Sequence, residues 1–270
     1  MLRQALLLGP ILVGCAREPA ARARAEASAA PTSAAGGASV LQRTGSAKSF
    51  ALLELFTSEG CSSCPPADRE LEQVTEQAER TGRRVFTLSF HVDYWNDLGW
   101  SDPFSDARYS ARQRHYLDHF GRSSAYTPEL VVNGVEEFVG SDETTTRAAT
   151  MRMLGRPAQV FVELTAARQG RTLSLRFSCG GRKGRALIQI ALVQDRALSA
   201  VSAGENAGQR LSHRHVARAF AEREASLPAE GEQRFELPPD LDPAGASALV
   251  FVSDPQSREV WGVEAAKPPP

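Results

Sequence analysis

The chain has 270 residues, 42% of them hydrophobic, and a formal net charge of -1. This length and apolar content can bury one or two cores of ordinary domain size, and the near-neutral balance leaves no electrostatic footprint for nucleic acid or an anionic surface. No apolar run approaches the roughly 20 residues that span a bilayer.

Arg3 precedes a short apolar run, Ala5 to Val13, which reads as an export signal. The run ends Leu12-Val13-Gly14-Cys15, which resembles the lipobox of bacterial lipoproteins. Residues 1–15 are therefore the expected signal and Cys15 the expected lipidation site; a plain signal cleaved nearby would give a secreted protein instead. Residues 16–48 consist largely of Ala, Arg, Ser, Gly and Pro. Such a segment cannot bury enough surface to offset its ordering entropy, so a disordered tether is expected.

From Ser49 the pattern becomes regular. The run Phe50 to Phe56 reads as a strand that breaks at Thr57-Ser58-Glu59-Gly60 and delivers Cys61 and Cys64 to a helix opened by Pro65-Pro66. Leu71, Val74 and Ala78 recur at helical spacing, and Gly82 stops the helix after Arg80. Val85 to Phe90 reads as a second strand, and a long connection, His91 to Pro103, leads to a helix over Ser105 to Phe120. On that helix Arg112, Arg114, His115 and His119 are expected to form a solvated face. Asn133-Gly134 between two short apolar runs signals a β-hairpin, because both residues accept positive φ. Ser141 is expected to cap a last helix reaching Leu154.

Beyond Pro157, short strand-like runs alternate with Gly, Asp and Pro turns, the pattern of a β-sandwich over residues 157–264, with 265–270 as a tail. His213 and His215, two apart, are expected on one face of a strand. With Glu205 and Asn206 nearby they offer a weak binding site, and a structural role is favoured.

The four cysteines divide by context. Cys15 goes to lipid, Cys61 and Cys64 pair with each other, and Cys179 is left as a buried, inert thiol. No second Cys-x-x-Cys or Cys/His pair stands at zinc-finger spacing, so neither metal nor cofactor is expected. As a structural staple, a loop this short would contribute only roughly 2 kcal/mol. Thiol–disulfide exchange is the better reading, with Cys61 as nucleophile and Cys64 resolving the mixed disulfide. Thiols at a helix start meet free backbone N–H groups and the positive end of the helix dipole, which favour thiolate by about 0.3 to 2 kcal/mol. Glu59 opposes this to a comparable extent, so the direction of electron flow stays open. His91, Asp93 and Trp95, with Tyr94 and Trp100, form a polar and aromatic loop open to two readings: one that walls the disulfide or binds an extended substrate, or a packed Ω-like loop with a satisfied His. Two thiols and His91 also fit a copper-handling protein loosely, and a non-catalytic binding module is a third reading.

The segments ELFTSEGCSSCPPAD, FHVDYWNDLGWSDPFSDARYSARQRHY and YTPELVVNG, with GENAGQRLSHRHVARAF further on, resemble a family of secreted bacterial thioredoxin-like proteins catalogued only as a domain of unknown function. The resemblance implies an α/β thioredoxin-like domain over residues 49–156, followed by the all-β domain. It places the cysteine pair after the first strand, where that fold carries its redox site. It also implies that Pro128 is a cis-proline packed against the disulfide, with Thr127 beside it. Glu54, interrupting an apolar strand, stands where thioredoxins hold a buried carboxylate that takes a proton from the inner cysteine; a carboxylate that points out of an edge or is satisfied by a backbone donor is the equal alternative. The expected partners are protein thiols or disulfides of the periplasm or cell envelope, with membrane contact only through the anchor at Cys15.

Overall fold

A computed structural model of the chain describes residues 42–46 and 48–268. The signal, Cys15 and the tether as far as residue 41 lie outside these residues. Within the expected tether, Gln42–Ser46 forms a strand, β1, pairing antiparallel with β6 (Phe161–Gln169). A sequence without large apolar side chains can still do this, because an edge strand joins through backbone hydrogen bonds.

The next seven elements keep the expected order: β2 (Ala51–Thr57), α1 (Pro65–Thr81), β3 (Val85–His91), α2 (Ala107–Phe120), β4 (Glu129–Val132), β5 (Glu136–Val139) and α3 (Glu143–Leu154). β2 and β3 are parallel and β4 and β5 antiparallel, giving the spatial order β3-β2-β4-β5. This part is thioredoxin-like. Gly82 ends α1 in the left-handed region, at φ 65°, where a missing Cβ removes the steric cost. The caps of α2 and α3 are Asp106 and Asp142, whose side chains accept backbone N–H groups of Arg108 and Thr145; the expected cap at Ser141 is thus one residue early.

β2 is buried on both faces, and its alternation assigns each face a layer. Leu53 and Leu55 pack with Ala67 and Leu71 of α1 and with Ala149 and Met153 of α3. Leu52 and Phe56 face the other way, toward Phe90 of β3 and Tyr109 and Tyr116 of α2.

The separate β-sandwich expected over residues 157–264 does not form. The strands of this region are β6, β7 (Thr172–Ala200), β8 (Arg210–Glu236), β9 (Ala246–Ser253) and β10 (Val260–Ala266), and among the described residues they join β1 to β5 in one ten-stranded sheet. β8 lies parallel to β3 through Ser89 and Val216. Short strand-like runs merge into the long strands β7 and β8; in β7, glycines expected at a turn form a bulge instead. The β7–β8 register shifts between Cys179 and Gly184, where Gly181 and Gly184 have positive φ, and pairing then resumes. β10 continues into the expected tail, and Lys267 pairs with Asp195 at 2.7 Å.

The joint is packed as a core. Phe220 of β8 meets Phe90 of β3 edge to face with centroids 5.4 Å apart, and Phe251 of β9 lies 6.2 Å from Phe220. Val193, Leu249 and Val263 complete the same cluster.

Candidate exchange site

β2 ends at Thr57, and a tight turn carries Cys61 and Cys64 to the first residue of α1, where Cys64 stands at the cap position. The two form a disulfide with Cα atoms 5.4 Å apart. Both cysteines are fully buried, while Ser62 and Ser63 between them are exposed. The Thr127–Pro128 peptide is cis, as expected. The Thr127 carbonyl oxygen lies 3.8 Å from Cys61 Sγ and accepts a hydrogen bond from Ser63 Oγ at 3.4 Å. Trp95 closes this side: its Nε1 donates to Thr127 Oγ1 at 2.9 Å, and a Cβ on Gly60 would sit 3.2 Å from the Trp95 Cβ. Cys61, Cys64, Thr127, Pro128 and Trp95 are therefore gathered at one place.

The remaining sequence candidates make contacts of their own. His91 is buried, and its Nδ1 meets Asp102 Oδ2 at 2.7 Å. Burial alone would raise the Asp102 pKa, but His91 and the backbone N–H groups of Glu59 and Phe104 lower it overall, so Asp102 is the anion that orients the imidazole. Glu59 N–H donates to the same Asp102 Oδ2 at 2.8 Å, which ties the loop after β3 to the motif. Asp93 turns to α2, where its backbone N–H and its carboxylate both bond to Ser110 Oγ. Among the described residues no group of three or more His, Cys, Asp or Glu is placed to hold a metal ion.

Glu54 is buried on the α2 face. Its Oε2 accepts from Arg112 Nε at 2.7 Å and its Oε1 from Tyr116 Oη at 2.6 Å. Arg112, expected on a solvated face, is instead buried. It also donates to Gln189 of β7 and lies over the rings of Phe90, Phe220 and Phe251 at 5.2 to 5.5 Å. Arg114, His115 and His119 are exposed, as expected. A signal for Arg112 was present: Tyr109, Arg112, Gln113 and Tyr116 fall at i, i+3, i+4, i+7, one helical face, and a glutamate inside an apolar strand requires a partner there.

The feature that sequence spacing does not show is the set of groups reaching the motif from the β-rich half. His213 of β8 is buried, with Nε2 3.2 Å from Glu59 Oε1 and Nδ1 3.6 Å from Asp68 Oδ1. Burial works against its charge, but Asp68 and Glu59 outweigh it and raise the pKa to about 10, so His213 is an imidazolium at neutral pH. Trp100 Nε1 holds the other oxygen of Glu59 at 2.8 Å. Glu59 thus faces inward, with one oxygen paired to His213 and the other held by Trp100. His215 is not part of this set: it bonds to Thr87 Oγ1 at 2.7 Å, and burial pushes its pKa down to about 4. Cys179 is buried, as expected, its thiol pushed up to about 12 by burial.

The family described as "Protein of unknown function (DUF1223)" matches residues 52–253, and the chain belongs to that family. A protein of Agrobacterium tumefaciens has a similar structure, with TM-score 0.61 and 23% identity over 81% of this chain and 94% of that one. HBP35 of Porphyromonas gingivalis is similar at TM-score 0.59 and 14% identity, covering 83% of this chain and 77% of its own. These likenesses show the fold. No curated protein matches the chain.

Proposed function

We propose that this member of the DUF1223 family carries out thiol–disulfide exchange through Cys61 and Cys64, acting on protein thiols or disulfides of the cell envelope, to which lipid on Cys15 would tether it. The observation that carries this reading is the placement of the disulfide at the start of α1, with the Thr127 carbonyl 3.8 Å from Cys61 Sγ. A thiolate there meets the positive end of the helix dipole, and the exposed Ser62 and Ser63 leave the motif on the surface side of the fold.

The chemistry is a two-electron exchange. In the dithiol form, the Cys61 thiolate attacks one sulfur of a partner disulfide and the other partner sulfur leaves as thiolate. Cys64 then loses its proton and attacks Cys61 Sγ, which releases the second partner thiolate and closes the Cys61–Cys64 bond. Run backward, the same steps oxidise a partner dithiol. Glu54, with both oxygens engaged by Arg112 and Tyr116, acts here by holding the α2 face in place.

Trapping distinguishes exchange from a structural staple. Cys64→Ser should accumulate mixed disulfides with an oxidised model protein, seen on non-reducing gels, and Cys61→Ser should not. If neither variant forms an adduct and the wild type leaves the exchange rate with glutathione disulfide unchanged, the exchange reading is wrong.

A further inference from the structure

Three hydrogen bonds join the β7–β8 turn, residues 201–209, to the motif. Glu205 Oε2 accepts the Ser62 N–H at 3.0 Å, and Asn206 Nδ2 donates to the carbonyls of Glu59 and Cys61, each at 2.9 Å. The turn is internally fixed: Gly208 N–H donates to Val201 O at 2.8 Å and Gln209 N–H to Asn206 O at 3.1 Å. It also lies tightly on the loop after β3. Gly204, at φ +72°, faces Trp100 so closely that a Cβ there would stand 3.1 Å from the Trp100 Cβ. The result is a covered motif. Cys61, Cys64 and Asn206 are at most 1% exposed, whereas Glu205 and Ser62 remain in water.

We propose that this turn belongs to the exchange centre: Asn206 positions the motif loop, while Glu205 latches the turn over Cys61 and opposes formation of its thiolate. The inference rests on the exchange reading above. Ser62 lies between the two cysteines, and its N–H is one of the donors that would otherwise turn toward a Cys61 thiolate. Glu205 takes that donor and adds a negative charge nearby, and both effects disfavour the thiolate. The Ser62 hydrogen bonds lower the Glu205 pKa, so it is ionised at neutral pH. Because it is solvent-exposed, this bond is weak and can open without unfolding the protein. Asn206 is the opposite case. It is buried and neutral, and its amide bridges the two carbonyls that bracket Gly60, fixing the curve that presents Cys61. The covering turn thus has a fixed hinge side and a removable latch.

The test uses the oxidised full chain and a small phosphine reductant, with thiol release measured in wild type, Glu205→Ala, Glu205→Gln and Asn206→Ala. Thermal melts confirm that each variant is folded. Glu205→Ala should be reduced about 5-fold faster than wild type, and Asn206→Ala faster still, since it removes two of the three bonds. Glu205→Gln keeps an acceptor for Ser62 and should retain the slow reduction. In the reduced protein, alkylation against pH should show the Cys61 pKa falling by about half a pH unit in both Glu205 variants, where the charge is gone. Glu59, Asp68, His91, Asp102 and His213, the other titratable groups around the motif, are the same in all of them. Equal reduction rates and equal thiol pKa values in folded Glu205 variants would overturn the proposal, and the Glu205 pair decides it even if Asn206→Ala does not fold. The phosphine needs no partner protein. A wild type that exchanges with no protein, but whose Glu205→Ala variant is reduced faster, therefore removes the proposed function and supports the latch. A wild type that exchanges, with indifferent Glu205 variants, does the reverse.

Discussion

His213 holds one positive charge between Glu59 and Asp68 where water does not reach, and this couples stability to pH on the alkaline side. Its folded pKa of about 10 lies above the usual 6.5, so the stabilisation is complete below about pH 6.5 and is lost as pH rises through 10. The span corresponds to on the order of 5 kcal/mol. Other shifted groups act in different ranges. His215, pushed down to about 4, weakens the fold as pH falls below 6.5, and Glu129, raised to about 7 chiefly by burial, finishes titrating near neutrality. Cys179 begins to contribute above about 8.5, so a difference measurement is needed. Urea melts between pH 7 and 10 should show wild-type stability falling more steeply than that of His213→Gln; parallel slopes would mean His213 is not charged in the folded state. At this scale the motif cysteines and Pro128 were readable, because short-range spacing identifies them. The partners of Glu54 and Glu59 were not. Arg112 lies 58 positions from Glu54, and His213 lies 154 from Glu59, so only the fold brings them together.

The β4–β5 hairpin shows how one element serves two purposes. Asn133 and Gly134 both have positive φ, which the Asn-Gly dipeptide announced. The same turn is also a docking point. Asn133 Oδ1 accepts the Leu52 N–H at 2.6 Å, the Asn133 carbonyl accepts the Val260 N–H at 2.8 Å, and a Cβ on Gly134 would stand 2.2 Å from the Arg258 carbonyl oxygen. Gly134→Ala should therefore cost more than a left-handed conformation alone, about 2 to 4 kcal/mol in a denaturant melt. A cost under about 1 kcal/mol would mean that the 258–260 segment yields freely. Turn chemistry was legible because it is local; the approach of a second segment to the same atoms was not. The break expected inside β7 failed for a related reason, since Gly181 and Gly184 carry the same local signature whether they reverse a chain or kink a strand.

At the scale of the molecule, the thioredoxin-like part and the β-rich part share a core and a sheet. Phe90, Tyr109 and Tyr116 have as neighbours Ala217, Phe220, Leu249 and Phe251 from the second part, and Arg112 is enclosed by both. A chain ending at Pro157 would expose this apolar face and leave the Glu54–Arg112 pair open to water on one side. It should lack a cooperative urea transition by circular dichroism, while the full chain should unfold in one step; a sharp transition for the fragment would show that the joint is peripheral. The order βαβ, helix, hairpin, helix was readable because each element has its own periodicity. That the later strands continue the same sheet was not, because pairing between β3 and β8 depends on backbone groups that every sequence carries.

The two bonds from Asn206 also impose a timetable. Glu59 and Cys61 leave the ribosome about 145 residues ahead of the side chain that secures them. Through most of synthesis, and again after any export in an unfolded state, the two cysteines are bare and open to whatever oxidant or thiol is at hand. Their enclosure by this turn waits until β7 and β8 have come together and brought it with them.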